Sequence, residues 1–148
     1  MRKIIKKEIN KLIRKYKTND PFDLAGFLKI QVLFWDFPEE VNGLYQYEKR
    51  EKFIYINFNL SSKRRIIVCA HELGHAILHS KLNSTFLKEY TFLNINKYEK
   101  EANLFAAELI IDDELLQEYP NLTLNQISTA EVLPIELLEL KFKDLSIF

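Results

Sequence analysis

The 148-residue sequence is poor in the residues that build disulfide scaffolds and flexible loops, with one cysteine, three glycines and four prolines. A single cysteine, Cys69, cannot form an internal disulfide, which excludes a disulfide-rich secreted scaffold and favours a reducing compartment. No segment approaches the roughly 20 apolar residues of a membrane helix, and the charged N-terminus does not resemble a signal peptide. We therefore expect a soluble, cytoplasmic protein.

The formal net charge is zero, but the charges are unevenly distributed. Residues 1–17 carry a net charge of +7, and residues 99–148 carry a net charge of −8. A basic segment can bind nucleic acid, yet its apolar residues recur at helical spacing and need a core to cover them. We predict an N-terminal helix over residues 1–18 with a solvated basic face. We expect no direct nucleic-acid binding, because the acidic C-terminal part repels phosphate.

The pattern of apolar residues predicts one α+β domain over residues 1–148, without repeats or linkers. Asn19-Asp20-Pro21 is typical of a helix start. Three β-branched and aromatic segments predict a small antiparallel sheet of about three strands, two of them in a hairpin. Helices are predicted over about 63–79 and 98–111, with a long connection over 81–97 and a short helical segment over 121–148.

The motif His71-Glu72-Leu73-Gly74-His75 lies in the helix predicted over about 63–79. A step of four residues returns the second imidazole to within about 40° of the first, so both can bind one ion. Glu72 lies on the flank of that face, where its carboxylate can accept a proton from a metal-bound water. The spacing predicts His71 and His75 as metal ligands and Glu72 as the catalytic base.

A third protein ligand must come from elsewhere in the chain, because hydrolytic zinc sites usually have three. We assign it to Glu101, which precedes a small alanine suited to close helix packing, and not to Glu99, which points about 160° away from Glu101. Glu108 shares the face of Glu101, either as its supporting partner or as a surface charge. His79 lies about 12 Å along the helix from His71, so we expect a supporting or helix-end role.

Gly74 is unusual because it lies in the middle of a helix, where glycine costs about 1 kcal/mol relative to alanine. The rest of this helix is apolar on every side except the histidine side. A buried helix whose polar side carries His and Glu is typical of a cleft floor, since unpaired polar groups there would be costly. The glycine predicts that another backbone approaches the helix closely.

Two segments together resemble the ImmA/IrrE family of metallopeptidases over about residues 20–145. They are His71-Glu72-Leu73-Gly74-His75-Ala76-Ile77-Leu78-His79 and Glu99-Lys100-Glu101-Ala102-Asn103-Leu104-Phe105-Ala106-Ala107-Glu108-Leu109-Ile110. The resemblance implies a minimal zincin-like domain with one zinc ion per chain, held by His71, His75 and Glu101, with Glu72 as base. It also implies a protein substrate, a helix-turn-helix repressor of a phage or mobile element. The chain departs from the family pattern at Asp112, where members often have proline.

The expected reaction is therefore zinc-dependent hydrolysis of a peptide bond in a regulatory protein. Two other functions remain open: a non-hydrolytic zinc module that binds and titrates a transcriptional regulator, and a DNA-binding regulator. The group that stabilises the transition state is also open, and the candidates from the vicinity are Tyr90, Tyr98, His79 and Arg64.

Overall fold

The computed structural model of the protein describes residues 1–87 and 97–143. The described elements follow in the order α1 (Arg2–Tyr16), α2 (Pro21–Phe27), β1 (Gln31–Trp35), β2 (Val41–Glu48), β3 (Glu51–Asn57), α3 (Ser62–Leu78), β4 (Ser84–Leu87), α4 (Lys97–Ile110), a 3₁₀ turn (Leu115–Glu118), α5 (Leu124–Glu131) and α6 (Ile135–Phe142). The predicted α+β class is confirmed.

The four described strands form one sheet in the order β1-β3-β2-β4. Strands β2 and β3 form the predicted hairpin, which turns at Lys49 and Arg50, both with positive φ. Both central residues of a type I′ turn need positive φ, and this turn matches the twist of the strands that it joins.

The sheet differs from the prediction in two respects. It is mixed and not antiparallel throughout, because β3 inserts between β1 and β2 and runs parallel to β1. Strand β4 pairs with β2 as a fourth strand and occupies part of the connection predicted over residues 81–97. Its pairing depends on an edge of β2 that only the folded sheet creates. The rest of that connection, including Tyr90, lies outside the described residues.

Helix α3 lies at the centre of the main core, in contact with β2, β3, α2 and α4. Its apolar sides pack against fully buried residues of the sheet and of α4, including Tyr45, Ile54, Ile56 and Phe105. The side chain of Ser61 caps the helix by accepting a hydrogen bond from the Arg64 backbone N–H. The segment from His71 to His75 is therefore held on a rigid element with packing on several sides.

The terminal helices cover the side of α4 that faces away from the sheet. Helix α1 buries Ile5 and Ile9, contacts α4 and leaves its basic face outside, as the apolar spacing predicts. The C-terminal helices build a second apolar cluster against α4. A capping box between Thr123 and Gln126 starts α5. Among the described residues, no helix is long and apolar enough to cross a membrane.

Candidate metal centre

Helix α3 brings His71, Glu72 and His75 together in the protein interior. Each of the three residues is at most 1% exposed. One donor atom from each side chain lies within 4.8 Å of the donor atoms of the other two. The i, i+4 spacing places both imidazoles on one face, as the motif predicts. A buried group of two imidazoles and a carboxylate fits the donor chemistry of a divalent transition metal.

A second carboxylate, Glu99 from the first turn of α4, faces both motif histidines. Its Oε2 lies 2.9 Å from His71 Nε2, and its Oε1 lies 3.2 Å from His75 Nε2. Burial alone would raise the pKa of Glu99, but hydrogen bonding and charge from the two histidines outweigh it and lower the pKa to about 2. The carboxylate therefore stays ionised at neutral pH, which is the form that binds a metal.

The tautomer of His71 is set by Asn103, which lies one turn after Glu99 on α4. His71 Nδ1 is 2.8 Å from the Asn103 carboxamide oxygen Oδ1. An amide oxygen can only accept, so Nδ1 carries a proton, and Nε2 is the nitrogen that faces Glu99 and the shared donor set. Hydrogen bonds of this kind orient histidines that bind metals.

His75 is connected to a further polar chain at the end of α3. His75 Nδ1 lies 3.2 Å from His79 Nδ1, and His79 Nε2 lies 3.6 Å from Glu101 Oε2. Burial lowers the pKa of both histidines below the ordinary value, which keeps the imidazoles neutral and suited to bind a metal. The ring of Tyr98 packs edge-on against His79, with ring centroids 4.8 Å apart.

Helix α4 can present these groups because it approaches α3 very closely at Gly74. A Cβ placed on Gly74 would lie 3.0 Å from Phe105 Cβ and 3.2 Å from the Ala102 backbone. The predicted close approach of another backbone at this glycine is confirmed. This close packing brings Glu99 and Asn103, which lie on the same side of Ala102 on the helix surface, over the histidines of α3.

Known proteins resemble this chain over most of its length. Residues 26–139 match the family model of the M78 peptidases, described as the IrrE N-terminal-like domain. The chain belongs to this family. It is 46% identical over 140 residues to "Uncharacterized immunity region protein 2" of Bacillus phage phi105, covering 93% of this chain and 89% of that protein. It is 36% identical over 116 residues to "Metallopeptidase ImmA" of Bacillus subtilis (strain 168), covering 77% and 67% of the two chains.

Membership of the M78 family confirms the resemblance found in the sequence and makes this chain a metallopeptidase at the level of the family. The buried group of His71, Glu72 and His75 agrees with a metal site. Membership of this family does not identify the carboxylate that completes the metal site. The position of α4 relative to α3 bears on that question.

The geometry does not support Glu101 as the third ligand. Glu101 Oε2 contacts His79, whereas Glu99 contacts both His71 and His75. The two glutamates lie on opposite flanks of Ala102, the residue that packs on Gly74. Helical angles place the two glutamates on different flanks of α4, but the flank that faces the histidines depends on how α4 crosses α3. The sequence does contain one feature that favours Glu99. Glu99 and Asn103 are an i, i+4 pair, with the same spacing as the two histidines.

Glu108 has neither of the roles predicted for it. Its carboxylate is buried and binds Lys141 Nζ of α6 at 2.9 Å and Arg2 Nε of α1 at 3.0 Å. Lys141 also binds Asp113, and the Arg2 guanidinium donates to the Lys141 carbonyl oxygen. Glu108 is therefore the centre of an ion network that joins three helices, and its partners lie in parts of the chain remote in sequence.

The remaining candidates occupy different places around the centre. His79 is the C-cap residue of α3 and touches His75, in agreement with a supporting or helix-end position. Tyr98 is 45% exposed beside it. Arg64 lies two turns before His71 on α3. Cys69 is fully buried, and burial raises the pKa of its thiol, so it remains a neutral core residue.

Proposed function

We propose that this metallopeptidase is a zinc-dependent endopeptidase that hydrolyses a peptide bond in a regulatory protein. The observation that carries the proposal is the convergence of His71 Nε2, His75 Nε2 and the Glu99 carboxylate, with Glu72 buried beside them. Two imidazoles and one carboxylate are a donor set that catalytic zinc takes in peptidases, leaving a position for water. We assign one zinc ion per chain to His71, His75 and Glu99, in place of the predicted Glu101.

A zinc ion held by His71, His75 and Glu99 would lower the pKa of a bound water towards about 7 and would polarise the scissile carbonyl. Glu72 then accepts the proton of the attacking water and delivers it to the nitrogen of the leaving amine. Its place on α3 supports this role, because it is adjacent to His71 and is not aligned with the two ligand imidazoles. Strand β2 crosses directly above this carboxylate, since a Cβ on Gly43 would lie 3.7 Å from Glu72 Oε2.

Tyr98 and His79 are the groups we propose for stabilising the negative charge that develops on the scissile carbonyl. They contact one another at the Glu101 side of the centre, and Tyr98 is accessible from outside. Arg64 is about 10.5 Å from His71 along the helix, which is too far for this role.

The substrate we propose is a helix-turn-helix repressor of a phage or mobile element. The proposal rests on two relatives whose names refer to an immunity region and to ImmA, and on the family resemblance in both sequence motifs. A cytoplasmic site of action follows from this substrate, because such repressors act on DNA inside the cell.

The decisive experiment compares wild type with Glu72→Gln, using the helix-turn-helix repressor encoded beside the gene. Glu136→Gln is the matched control, because Glu136 is exposed on α6, far from the centre in sequence. We expect one zinc per chain in all three proteins and a discrete cut by wild type and Glu136→Gln only. Binding of the repressor without cleavage by any of them would favour the titrating module. Salt-dependent binding to duplex DNA would favour the DNA-binding regulator.

A further inference from the structure

A polar cleft lies next to the metal centre, between the start of α3 and the start of β2. Its volume is about 780 Å³, and its walls include Asn42, Asn57, Asn59 and Arg64, with Phe37 and Glu39. None of the residues assigned to zinc or to catalysis lines it. The site described so far therefore does not explain why polar side chains gather here.

The cleft is in line with the metal centre along α3. Arg64 and His71 are seven residues apart, so they lie within about 20° on the helix surface and about 10.5 Å apart along its axis. Strand β2 packs beside this stretch of α3, because a Cβ on Gly43 would lie 2.7 Å from Val68 Cγ1 and 3.7 Å from Glu72 Oε2. An extended peptide advances about 3.3 Å per residue, so the cleft lies about three residues from the reacting bond.

Asn42 occupies an irregular position in the sheet. Between Val41 and Gly43 the register of β2 shifts by one residue relative to β4, which leaves Asn42 as the extra residue of a bulge. Bulges redirect side chains and are frequent beside active sites. Asn42 is 1% exposed, and its Nδ2 has no hydrogen-bond acceptor among the described residues. A buried amide without a partner destabilises the fold, and a bound acceptor would recover that loss.

The other two asparagines of the cleft are fully engaged in holding its walls. Asn57 Nδ2 donates to the carbonyl oxygens of Phe37, Pro38 and Val41, and its Oδ1 accepts from Asn59. Asn59 Nδ2 also donates to Asp36 Oδ1 at 3.1 Å. These bonds connect the loop before β2 to the end of β3, so the cleft is a built and rigid feature.

Arg64 provides a second donor that the described part of the protein does not use. Within residues 1–87 and 97–143, its guanidinium makes no ion pair, hydrogen bond or ring contact. The neighbouring Arg65, by contrast, donates to the carbonyl oxygens of Leu60 and Phe58 and lies over the Phe34 ring. A cation and an amide donor thus share one cleft, in which Glu39 has an interaction of its own.

We propose that the cleft of Asn42 and Arg64 is a specificity subsite that binds an acidic side chain of the substrate, about three residues from the cleaved bond. A carboxylate accepts both from a guanidinium and from an amide, and charge-assisted bonds to it are about twice as strong as neutral ones. This inference rests on the proposed peptidase function, which supplies the substrate chain, but its test is a binding measurement that needs no turnover.

The test uses zinc-loaded, ¹⁵N-labelled Glu72→Gln protein and two short peptides, acetyl-Ala-Asp-Ala-amide and its Asn twin. We expect the Asp peptide to produce saturating NMR shifts at the Asn42 side-chain amide and at Arg64 Nε, with about ten-fold tighter binding than the Asn peptide. Arg64→Gln and Asn42→Leu should abolish the preference for Asp. Lys63→Gln should keep it, because it removes an equal charge from an exposed neighbour on the same helix turn.

Three results would overturn the subsite: equal affinity for the two peptides, no shift at Asn42 and Arg64, or shifts confined to His71 and His75, which would place the carboxylate on zinc. Circular dichroism and thermal unfolding of each variant identify any that fail to fold, and Arg64→Gln, on a half-exposed side chain, serves as the variant least able to disturb the core. A preference for Asp together with uncleaved repressor in the wild type would keep the subsite while refuting the proposed peptidase activity.

Discussion

The carboxamide of Asn103 holds the proton of His71 on Nδ1, across a distance of 2.8 Å between α4 and α3. The first of the proposed metal ligands is therefore oriented by the same helix that supplies the opposing carboxylate. In the proposed site, helix α4 contributes both a ligand and the group that orients another ligand.

Replacing Asn103 by alanine should weaken zinc binding by about 10- to 100-fold, the range typical for groups that orient a metal-binding histidine. Asn103→Asp keeps an oxygen acceptor and should retain most of the affinity. Competition with a chromophoric zinc chelator measures the change. Asn125→Ala on exposed α5 is the control, and an Asn103→Ala protein with wild-type affinity would refute the orienting role.

The variants Glu99→Gln and Glu101→Gln distinguish the contributions of the two α4 glutamates to zinc binding. Glu99→Gln removes a carboxylate that faces both histidines, so zinc affinity should fall by more than the roughly 100-fold seen when only an orienting group is lost. Glu101→Gln should keep zinc, because its carboxylate contacts His79. Zinc content after dialysis gives the answer, and the reverse order of the two variants would restore Glu101 as the ligand.

Gly74→Ala should destabilise the protein even though alanine favours helices by about 1 kcal/mol. The new Cβ would meet the backbone of Ala102 and Cβ of Phe105, which cannot move without shifting α4. Overpacking of this kind costs about 1–3 kcal/mol. Gly26→Ala is the matched control, because nothing lies within 4 Å of its new Cβ, and it should be neutral or stabilising. Urea unfolding of both variants tests the contrast.

Lys141→Ala should lower the free energy of unfolding by about 1.5–3 kcal/mol, since the buried carboxylate of Glu108 loses its charge-assisted bond to lysine and keeps only Arg2. Lys143→Ala removes an exposed lysine that pairs with Glu139, and it should cost less than about 1 kcal/mol. Denaturant titrations compare the two. The double variant Lys141→Met with Glu108→Leu should recover much of the loss, because apolar side chains replace a buried pair well.

Local sequence determines the catalytic half of this site. The motif from His71 to His75 lies in one helix, and the spacing alone brings its donors together. Asp20, Ser61 and Thr123 cap the helices that follow them, which their short polar side chains and positions allow one to predict. The hairpin of β2 and β3 is equally local, because its two strands are joined by a two-residue turn.

The parts that the sequence does not reveal are those that depend on two distant segments meeting. Glu99 and Glu101 differ by two positions, and only the crossing of α4 over Gly74 selects between them. Glu108 pairs with Arg2 and Lys141, which lie near opposite ends of the chain. Strand β4 depends on the free edge of β2. Apart from the i, i+4 spacing of Glu99 and Asn103, these choices leave no periodic pattern in the sequence.

The division of the proposed metal ligands between α3 and α4 has a consequence for experiments that use chelators. His75 and Glu99 are about 24 residues apart, and they meet only in the folded chain, so an ion bound by both links the two helices in the folded state alone. Such an ion stabilises the fold by mass action, by about 4 kcal/mol at a free concentration about 1,000 times its dissociation constant. Chelation therefore removes a link between two helices as well as the reactive centre. A loss of activity after chelation reports on the stability of the fold as much as on the chemistry.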